Sequence, residues 1–519
     1  MRHQKNENRL DCDGRGGKSF SYSSASGWRR AKRACLGGVQ VAVARLKFLD
    51  KGEEDLIDQQ SMECLETIGV KVKSESVLRM LDKAGAQVDY KNQIARIPEG
   101  FVREALKTVP KSMTLHARDP KNDLRIPVSS WPYVGTTGLG TYILDIQTGK
   151  KRDSTVKDIA DTVRLGDALT GADYVQTNLT ATEVPHATHG LHELWTAFQN
   201  TTKHVQGVEI FNAEDARKQI ELGALIAGGL DELKKKPYFT VIHCSIAPLM
   251  FEHDAVEALV EFAKAGVSVT TMTMSLSGGT APVTMAGTLV NANSENLASL
   301  VIGQAAAKGA RTIYCSSSTP VNMKTGMINY ESVNQPLIAA GLAQMAKRYG
   351  LPCMVGDWGL NDSEEPGIPH TFTETMGIAL STMSGTDMQG GIGALDHAKG
   401  VALEQEVIDA YVWENVKKQM TPFEISKETV ALDVTRQVGH GNTFLTSMHT
   451  MRNFRKEIVM RDPEKGRFEA TMSKAMVAEA REIAIRLLKD HVVPALDRSI
   501  IQQGNEIIRK REKELAQRP

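Results

Sequence analysis

The 519-residue sequence lacks several features that assign a chain to a class at once. Lysine plus arginine and aspartate plus glutamate balance at 62 each, without the basic excess or stripe of a nucleic-acid-binding protein. It contains no run of about 18 apolar residues, which argues against a transmembrane helix. Aromatic residues make up only 5% of the chain. These absences disfavour nucleic acids and membranes as partners and indicate a globular protein with an aliphatic core.

The cysteines also lack a pattern. They are scattered, without CxxC spacing, at Cys12, Cys35, Cys64, Cys244, Cys315 and Cys353. Such usage is typical of a reducing cytoplasm, where we predict this protein. Zinc accepts the ligands that His243, Cys244, Cys315 and Cys353 could provide. However, His243 and Cys244 are adjacent on one predicted strand and should point to opposite faces, so we predict no metal site.

Composition and periodicity divide the chain into four parts. Residues 1–45 are polar, Gly/Ser-rich and basic, and we predict a disordered tail or an upstream extension from a mis-assigned start. Residues 46–125 place apolar side chains at helical spacing and are predicted as a helical cap. Residues 126–455 contain the main domain. Residues 456–519 are predicted as helices, the last of which packs on the outside of the main domain or on a second subunit.

The main domain alternates short β-rich runs with helical stretches. The runs are YVGTT (133–137), YVQTNL (174–179), HVQGVEIF (204–211), YFTVIHCSI (238–246), VSVTTMTM (267–274), RTIYCSS (311–317), PCMVGDW (352–358) and DMQGGIGAL (387–395). They recur at roughly the spacing of parallel βα units. Because no GxGxxG fingerprint follows the first run, a closed (β/α)8 barrel of the α/β class is favoured over an open sheet.

In such a barrel, functional residues collect at the carboxyl ends of the strands. The polar strand ends are Asn178, Glu209, His243 with Cys244, Met274 to Thr280, Cys315 to Ser318, Asp357 with Trp358, and Asp396 with His397. They contain no repeated catalytic pair.

Three of these regions suggest ligand binding. In the loop from Ser277 to Val283, the glycines Gly278 and Gly279 could leave backbone amides free for an anion, or could simply form a tight turn. Trp358 could hold a quaternary ammonium by a cation–π interaction of about 1–2 kcal/mol, or could only close the barrel top. Asp357 beside it could add a counter-charge. His370 could bind a carboxylate or shuttle a proton, or could be structural.

Longer segments resemble the trimethylamine methyltransferase family. They are ECLETIGVKVKSESVLRMLDKAGAQVDYKNQIARIPEGFVREAL, TYILDIQTGKKRDSTVKDIADTVRLGDAL, SGGTAPVTMAGTLVNANSENLASLVIGQ, NMKTG, LAQMAKRYGLPCM and HTMRNFRKEIVMRD. The resemblance covers about residues 48–510. It implies a barrel enzyme that demethylates a methylamine or a quaternary amine and methylates Co(I) on a separate corrinoid protein. The corrinoid (cobalamin) is then supplied by that partner or free, and is not bound permanently.

One departure from the family narrows the substrate. Members that use trimethylamine carry pyrrolysine roughly where this chain reads Asn361–Pro366, and only standard residues stand here. The departure points to the non-pyrrolysine branch, whose known substrates are quaternary amines such as glycine betaine.

Displacement at the methyl group of a quaternary amine releases a neutral tertiary amine, so it requires neither a nucleophilic side chain nor a general base. We therefore predict no catalytic residue. The predicted substrate-binding residues are Trp358, Asp357, His370, Thr280, Gly279, Lys324, Asn178 and His243. Of these, Thr280, Lys324 and His370 are candidate partners for a substrate carboxylate. Two alternatives stay open: a zinc-dependent corrinoid methyltransferase for a neutral donor, and a non-catalytic betaine-binding barrel. A homo-oligomer is also expected from the terminal helix.

Overall fold

The computed structural model describes residues 35–36, 39–42, 45–208, 210–357, 362–367, 371–421, 423–458 and 475–517. Its centre is a closed barrel of parallel strands. These strands, β1 to β8 in chain order, are Tyr133–Thr136, Tyr174–Gln176, His204–Gly207, Phe239–Cys244, Ser268–Thr273, Thr312–Ser316, Cys353–Asp357 and Met388–Ile392. Each lies inside one of the eight predicted runs, so the predicted barrel is confirmed.

A helix follows each strand and packs on the outside of the barrel. These helices, α1 to α8, are Val156–Ala168, His189–Asn200, Ala213–Ala227, His253–Ala265, Met285–Ala306, Gln335–Arg348, Thr371–Met383 and Leu403–Gln419. Local sequence sets several of their ends. Thr155 and Asp158 form a capping box at the start of α1, and Asn212 accepts two backbone N–H bonds at the start of α3. Gly266 ends α4 in the left-handed conformation, with φ of 75°.

The region before the barrel contains more than helices. Its helices are Lys51–Glu63, Glu75–Ala84 and Glu99–Thr108, with a π-helical turn at Cys64–Ile68. Its short strands, Val70–Val72, Gln87–Asp89 and Ile94–Arg96, form one sheet with Met250–Phe251 from the loop after β4. Helical periodicity alone did not predict this sheet, because each of its strands has only two or three residues.

A hairpin closes the amino end of the barrel. Its strands are Met113–Leu115 and Leu124–Ile126. Its apolar side chains pack against lumen residues such as Tyr174 and Met388. The backbone N–H of His116 donates to the carbonyl of Pro237, just before β4, at 3.2 Å. The barrel interior is therefore reached from the carboxyl end of the strands.

The two C-terminal helices, Ala475–Asp490 and Arg498–Ala516, pack on this chain's own barrel. Arg511 is almost completely buried and pairs with Glu214 of α3 at 2.6 Å. Just before the last helix, His491 Nε2 lies 2.7 Å from Asp167 Oδ2 of α1. The last helix thus occupies the outside of the barrel, one of its two predicted locations.

The remaining elements are short. Cys35–Leu36 and Val39–Ala42 pair with each other, and the latter also pairs with Phe423–Glu424. Most of the predicted tail lies outside the described residues. The other strands are Tyr142–Leu144, Lys151–Asp153, Leu276–Ser277, Thr319–Pro320, Ala394–Leu395 and Gly400–Val401. The other helices are Leu230–Lys235, Lys427–Val430, Leu432–Val438 and Met448–Glu457, with 3-10 turns at Pro120–Asn122 and His186–Thr188. None of the described helices is both long and apolar enough to cross a bilayer.

Candidate active site

The strand register identifies the side chains that enter the barrel. Neighbouring residues in parallel strands point the same way, and successive residues alternate. The outward residues Val205, Val241 and Val269 pack with the helices, so their neighbours along the strands point inward. Inward side chains in the upper barrel are those of Gln176, Gln206, Ile242, Cys244, Thr270, Met272, Cys315 and Met354, together with the glycines Gly135 and Gly390.

These inward positions carry no charge. Cys244 is exposed through the barrel mouth, yet the surrounding protein raises the pKa of its thiol to about 12, so it is a neutral thiol at pH 7. Deeper in the barrel, burial lowers the pKa of His204 to about 4, which keeps its imidazole neutral. The described part of the lumen is therefore lined by amide, hydroxyl, thiol and thioether groups.

Two glycines give the larger side chains room. A Cβ at Gly135 would lie 2.4 Å from the ring of Tyr174, and one at Gly390 would lie 2.1 Å from Gln176 Nε2. Tyr174 spans this space, and its hydroxyl donates to the carbonyl of Gln389 at 2.8 Å. Gly135 and Gly390 are paired across β1 and β8, so neither strand adds a side chain of its own to the lumen at this point.

Gln206 presents an unused acceptor. Its Nε2 donates to Thr270 Oγ1 at 3.0 Å, while its Oε1 has no hydrogen-bond partner among the described residues. The residue is completely buried. An unpaired buried carbonyl is costly, so this oxygen at an inward position marks a place where a ligand could make a contact.

Carboxyl groups lie behind the strands at the same end of the barrel. Glu295 of α5 accepts hydrogen bonds from Ser245 Oγ at 2.5 Å, from the Leu249 backbone N–H at 2.9 Å and from Asn291 Nδ2 at 2.8 Å. Burial raises its pKa. These bonds fix the loop after β4 against α5, so Glu295 braces the site from outside.

A second buried acid braces the other side. Asn178 Nδ2 donates to Glu406 Oε1 of α8 at 3.1 Å, and Asn178 Oδ1 accepts from Thr162 of α1 at 2.7 Å. Burial, and next the charge of Asp409, raises the pKa of Glu406 well above its ordinary value. Asp409 itself accepts from the backbone N–H of Gly393 at 2.9 Å. This cluster joins three elements and does not face the lumen.

The turn after β8 holds the segment 362–367. Asp396, His397 and Ala398 all have positive φ, at 48°, 56° and 67°, which is strained for residues other than glycine. The Asp396 backbone N–H donates to the Ser363 carbonyl at 2.7 Å, and His397 Nε2 lies 3.3 Å from Asp362 Oδ1. The strained turn thus holds residues 362–367 in place. This segment overlaps Asn361–Pro366, the stretch that the family resemblance aligns with the pyrrolysine position.

Two predicted substrate-binding residues point elsewhere. His243 faces outward and stacks on Phe251, with ring centroids 6.0 Å apart. Burial lowers its pKa to about 4, and neither ring nitrogen has a partner among the described residues. Asn178 is fully buried between α1 and α8. Placing these two residues at the lumen was wrong, because strand alternation and the helix layer turn them away from it.

Of the two interpretations left open for the loop after β5, the structure shows the tight turn and not free amides. The Gly278 N–H donates to the Ala281 carbonyl, and the N–H groups of Gly279 and Thr280 donate to the Leu276 carbonyl, all within 3.0 Å. Thr280 Oγ1 accepts from the Leu276 N–H. The loop is a closed turn, although Gly279 and part of Thr280 stay accessible. Lys324, on the neighbouring loop, is exposed.

The remaining predicted residues are not placed. Trp358, His370 and Glu209 lie outside the described residues, and of Asp357 only the backbone is described, at the end of β7. Their roles stay predictions. In the described part of the chain, no three histidine, cysteine, aspartate or glutamate side chains are grouped closely enough to hold a metal ion.

Sequence reasoning missed Gln206, Glu295 and Glu406. Gln206 sits within a predicted strand, and alternation from Val205 would have turned it inward. Glu295 interrupts the apolar spacing of α5 among buried asparagines and serines. Glu406 carried no comparable signal, because its partner Asn178 lies 228 residues away.

The chain is similar to known methyltransferases over most of its length. The family model described as trimethylamine methyltransferase (MTTB) matches residues 15–516. The trimethylamine methyltransferase MttB of Desulfitobacterium hafniense is 30% identical over 485 residues, which are 92% of this chain and 97% of that protein. A glycine betaine methyltransferase from another strain of that species is 26% identical over 482 residues, 91% of this chain and 98% of that protein. The solved Methanosarcina barkeri monomethylamine methyltransferase is 13% identical, with a TM-score of 0.47, over 86% of this chain and 95% of that one.

Proposed function

The chain belongs to the trimethylamine methyltransferase family, and from this premise we propose that it transfers a methyl group from a quaternary amine to Co(I) of a separate corrinoid protein. Glycine betaine is the best single candidate for the donor. The family membership supports a methyltransferase that acts on a methylated amine. The identity of the donor and of the acceptor is the part that we propose.

The observation that carries the proposal is that the described residues lining the lumen carry no charge. A quaternary ammonium loses its charge as the C–N bond breaks, so tight ion pairing with the ground state would slow the step. The Gln206 carbonyl and the sulfur atoms of Cys244, Met272 and Met354 offer weaker contacts to the polarised methyl groups. Such a lining orients the cation without trapping it.

The bond changes need no proton donor or acceptor. The methyl carbon bonds to the incoming nucleophile, and the C–N electron pair stays on nitrogen as a neutral tertiary amine. This agrees with the neutral Cys244 thiol and with a lumen whose described residues include no carboxylate. Orientation of the N–CH3 axis toward the barrel mouth is then the main contribution of the protein, worth several kcal/mol.

The corrinoid supplies the methyl acceptor when its carrier protein is bound. The hairpin Met113–Ile126 fills the amino end of the barrel, so the acceptor must approach through the carboxyl end. Cys244 is accessible there, which supports an open path from the outside to the upper lumen. No residue of this chain is proposed to hold the corrinoid permanently.

The carboxylate of a betaine needs a partner at the mouth. We propose Lys324, which is exposed and makes no ion pair among the described residues, with Thr280 from the adjoining loop and His370. The loops that carry Lys324 and Thr280 are joined by pairing of Leu276–Ser277 with Thr319–Pro320. Both loops follow barrel strands, which supports Lys324 and Thr280 as anion-binding groups at the carboxyl end of the barrel.

The test is a donor panel with the purified full-length chain. Glycine betaine, other betaines, tetramethylammonium and trimethylamine are each supplied with chemically reduced cobalamin, and formation of the cobalt–methyl bond is followed by absorbance. We expect transfer from at least one quaternary amine and none from trimethylamine. Transfer from trimethylamine alone, or activity that requires stoichiometric zinc, would contradict the proposal.

A further inference from the structure

Five neighbouring barrel strands each point a sulfur-containing side chain into the lumen. Strands β4 to β8 carry Cys244, Met272, Cys315, Met354 and Met388 at positions that are paired directly from one strand to the next. The chain contains only 21 methionines and six cysteines among its 519 residues, so composition alone does not produce such a series. These five residues are here called the sulfur row.

The sulfur row runs from the barrel mouth to the barrel floor. Met388 and Met354 are buried and belong to the apolar cluster that includes the hairpin at the amino end. At the other end of the row, Met272 is half-buried and Cys244 is exposed through the mouth. A ligand from solvent therefore reaches the row at Cys244. The three upper members, Cys244, Met272 and Cys315, are here called the sulfur site.

The spacing of the strands sets the size of the sulfur site. Adjacent strands lie about 4.8 Å apart, so the Cα atoms of Cys244 and Cys315, two strands apart, are separated by roughly 9–10 Å. That distance is too long for a disulfide, which needs Cα atoms within about 7 Å of each other. Inward side chains converge toward the barrel axis, so the sulfur atoms come closer together than the Cα atoms. One metal ion with metal–sulfur bonds of about 2.3 Å fits between them, with Met272 as its neighbour.

The ligand types of the sulfur site select a soft metal ion. Thiolate and thioether groups favour Cu(I), whereas zinc sites use thiolate, imidazole and carboxylate groups. At this level of the barrel, the imidazole of His243 faces outward and the carboxyl of Glu295 bonds behind the strands. Ser317 Oγ donates to Met272 Sδ at 3.4 Å, which positions the thioether and leaves it a second lone pair for a metal. The described groups therefore suit Cu(I) better than zinc.

The charge of the site favours a monovalent ion. The pKa of the Cys244 thiol is about 12, because the surrounding protein disfavours a bare thiolate. When Cu(I) replaces the S–H proton, a Cu–S bond forms and one proton leaves for solvent, so the net charge of the site does not change. A divalent ion in the same place leaves a buried positive charge, which is costly. Copper stays Cu(I), so the exchange needs no oxidant or reductant.

We propose that the sulfur site binds one Cu(I) ion per chain, through the Cys244 thiolate and the neutral sulfur atoms of Met272 and Cys315. No metal site was predicted from the sequence, because His243 and Cys244 point apart. The strand register adds ligands that lie on other strands.

A copper ion at this site has a consequence for the donor. It occupies the part of the lumen that the proposed function assigns to the methyl groups of a quaternary amine, and it carries the same positive charge as that amine. Copper therefore excludes the donor. This consequence rests on the proposed function, whereas the metal site itself does not.

Anaerobic titration of the full-length chain with Cu(I) tests the site. Competition against a chromogenic Cu(I) chelator gives the number of ions held and their affinity. Cys244→Ser is expected to hold one ion fewer per chain than the wild type. Met272→Leu should bind that ion at least about tenfold more weakly, since even residues that only orient a ligand contribute that much. The matched controls, Cys64→Ser before the barrel and Met323→Leu on an exposed loop, should keep wild-type binding.

X-ray absorption at the copper edge measures the ligands directly. We expect only sulfur neighbours, at about 2.3 Å. Nitrogen ligands, a Cys244→Ser variant that holds as much copper as the wild type, or Zn(II) binding with equal affinity would overturn the proposal. None of these measurements contains a methyl donor, so a failure of the proposed methyl transfer leaves their results unchanged.

The exclusion of the donor has its own measurement. Calorimetric titration with glycine betaine should show binding to the copper-free chain and none to the chain loaded with one Cu(I). Equal betaine affinity with and without copper would overturn the shared location. An absence of betaine binding to the copper-free chain would instead contradict the proposed donor.

Discussion

The inner and outer faces of the barrel's carboxyl end differ in their chemistry, although the same strands build both. On β4, Cys244 points inward as a neutral thiol, while Ser245, the next residue, bonds to the buried carboxyl of Glu295. On β2, Gln176 points inward, while Asn178 just beyond the strand bonds to Glu406. The described titratable groups at this end therefore stabilise the frame, and the described part of the lumen stays neutral. A buried acid near a barrel mouth is not by itself a catalytic acid.

The largest expected effect is on the outer face. Glu295→Ala removes the acceptor for Ser245, Leu249 and Asn291, and three lost hydrogen bonds should lower the free energy of unfolding by about 3 kcal/mol. Thermal or urea unfolding measures the change. The control is Glu104→Ala, whose surface ion pair with Lys107 should contribute little. A stability close to wild type would contradict the bracing role of Glu295.

The inner face should respond in the opposite way. Gln206→Leu removes an unpaired carbonyl, so we expect a melting temperature near or above wild type but a roughly tenfold higher KM for the quaternary donor, or about 1.4 kcal/mol. Gln219→Leu serves as the control, since Gln219 is equally buried but bonds to Asp215 within α3. A Gln206→Leu variant that loses stability and keeps the wild-type KM would contradict the proposed difference in role between the inner and outer faces.

A pH series sharpens the comparison on the outer face. Folding raises the pKa of Glu406, so from its ordinary value of 4.5 upward the unfolded chain releases a proton that the folded chain retains. Wild-type stability should therefore fall with rising pH relative to Glu406→Gln, by up to about 1.4 kcal/mol per pH unit. Melting temperatures of both proteins between about pH 5 and pH 8 measure this. A wild-type stability that stays constant or rises with pH relative to Glu406→Gln would refute the assignment.

The smallest effect is expected at the rim of the mouth. Lys324→Ala should raise the KM for glycine betaine about threefold, because an exposed ion pair contributes well under 1 kcal/mol. Tetramethylammonium lacks a carboxylate, so its KM should not change. Steady-state kinetics with both donors measures the two KM values. An equal change in KM for the two donors would exclude Lys324 as the carboxylate partner.

Much of the frame could be predicted from the sequence, because strand and helix patterns are local. All eight barrel strands fall inside predicted runs, and alternation correctly separated His243 from Cys244. Strand alternation could not predict which helix residues form hydrogen bonds with the residues at the strand ends. Glu295 meets Ser245 across 50 residues of sequence and Glu406 meets Asn178 across 228, and neither pair leaves a pattern in the chain.

The loop after β5 shows a different limit. Its two glycines were compatible both with free amides and with a closed turn, and the outcome depends on where the N–H groups from Gly278 to Ala281 point. Composition does not determine that direction. The small sheet that includes Val70–Val72 was missed for a similar reason, since its partner strand Met250–Phe251 comes from a loop after β4.

The central claim is that a neutral lumen recognises a positively charged nitrogen. It is tested most directly by comparing glycine betaine with 3,3-dimethylbutanoate, which has the same shape and carboxylate but carbon in place of the nitrogen. Calorimetric titration of the full-length chain should show betaine binding at least tenfold more tightly, a difference of about 1.4 kcal/mol. Equal or tighter binding of the carbon analogue would contradict the account.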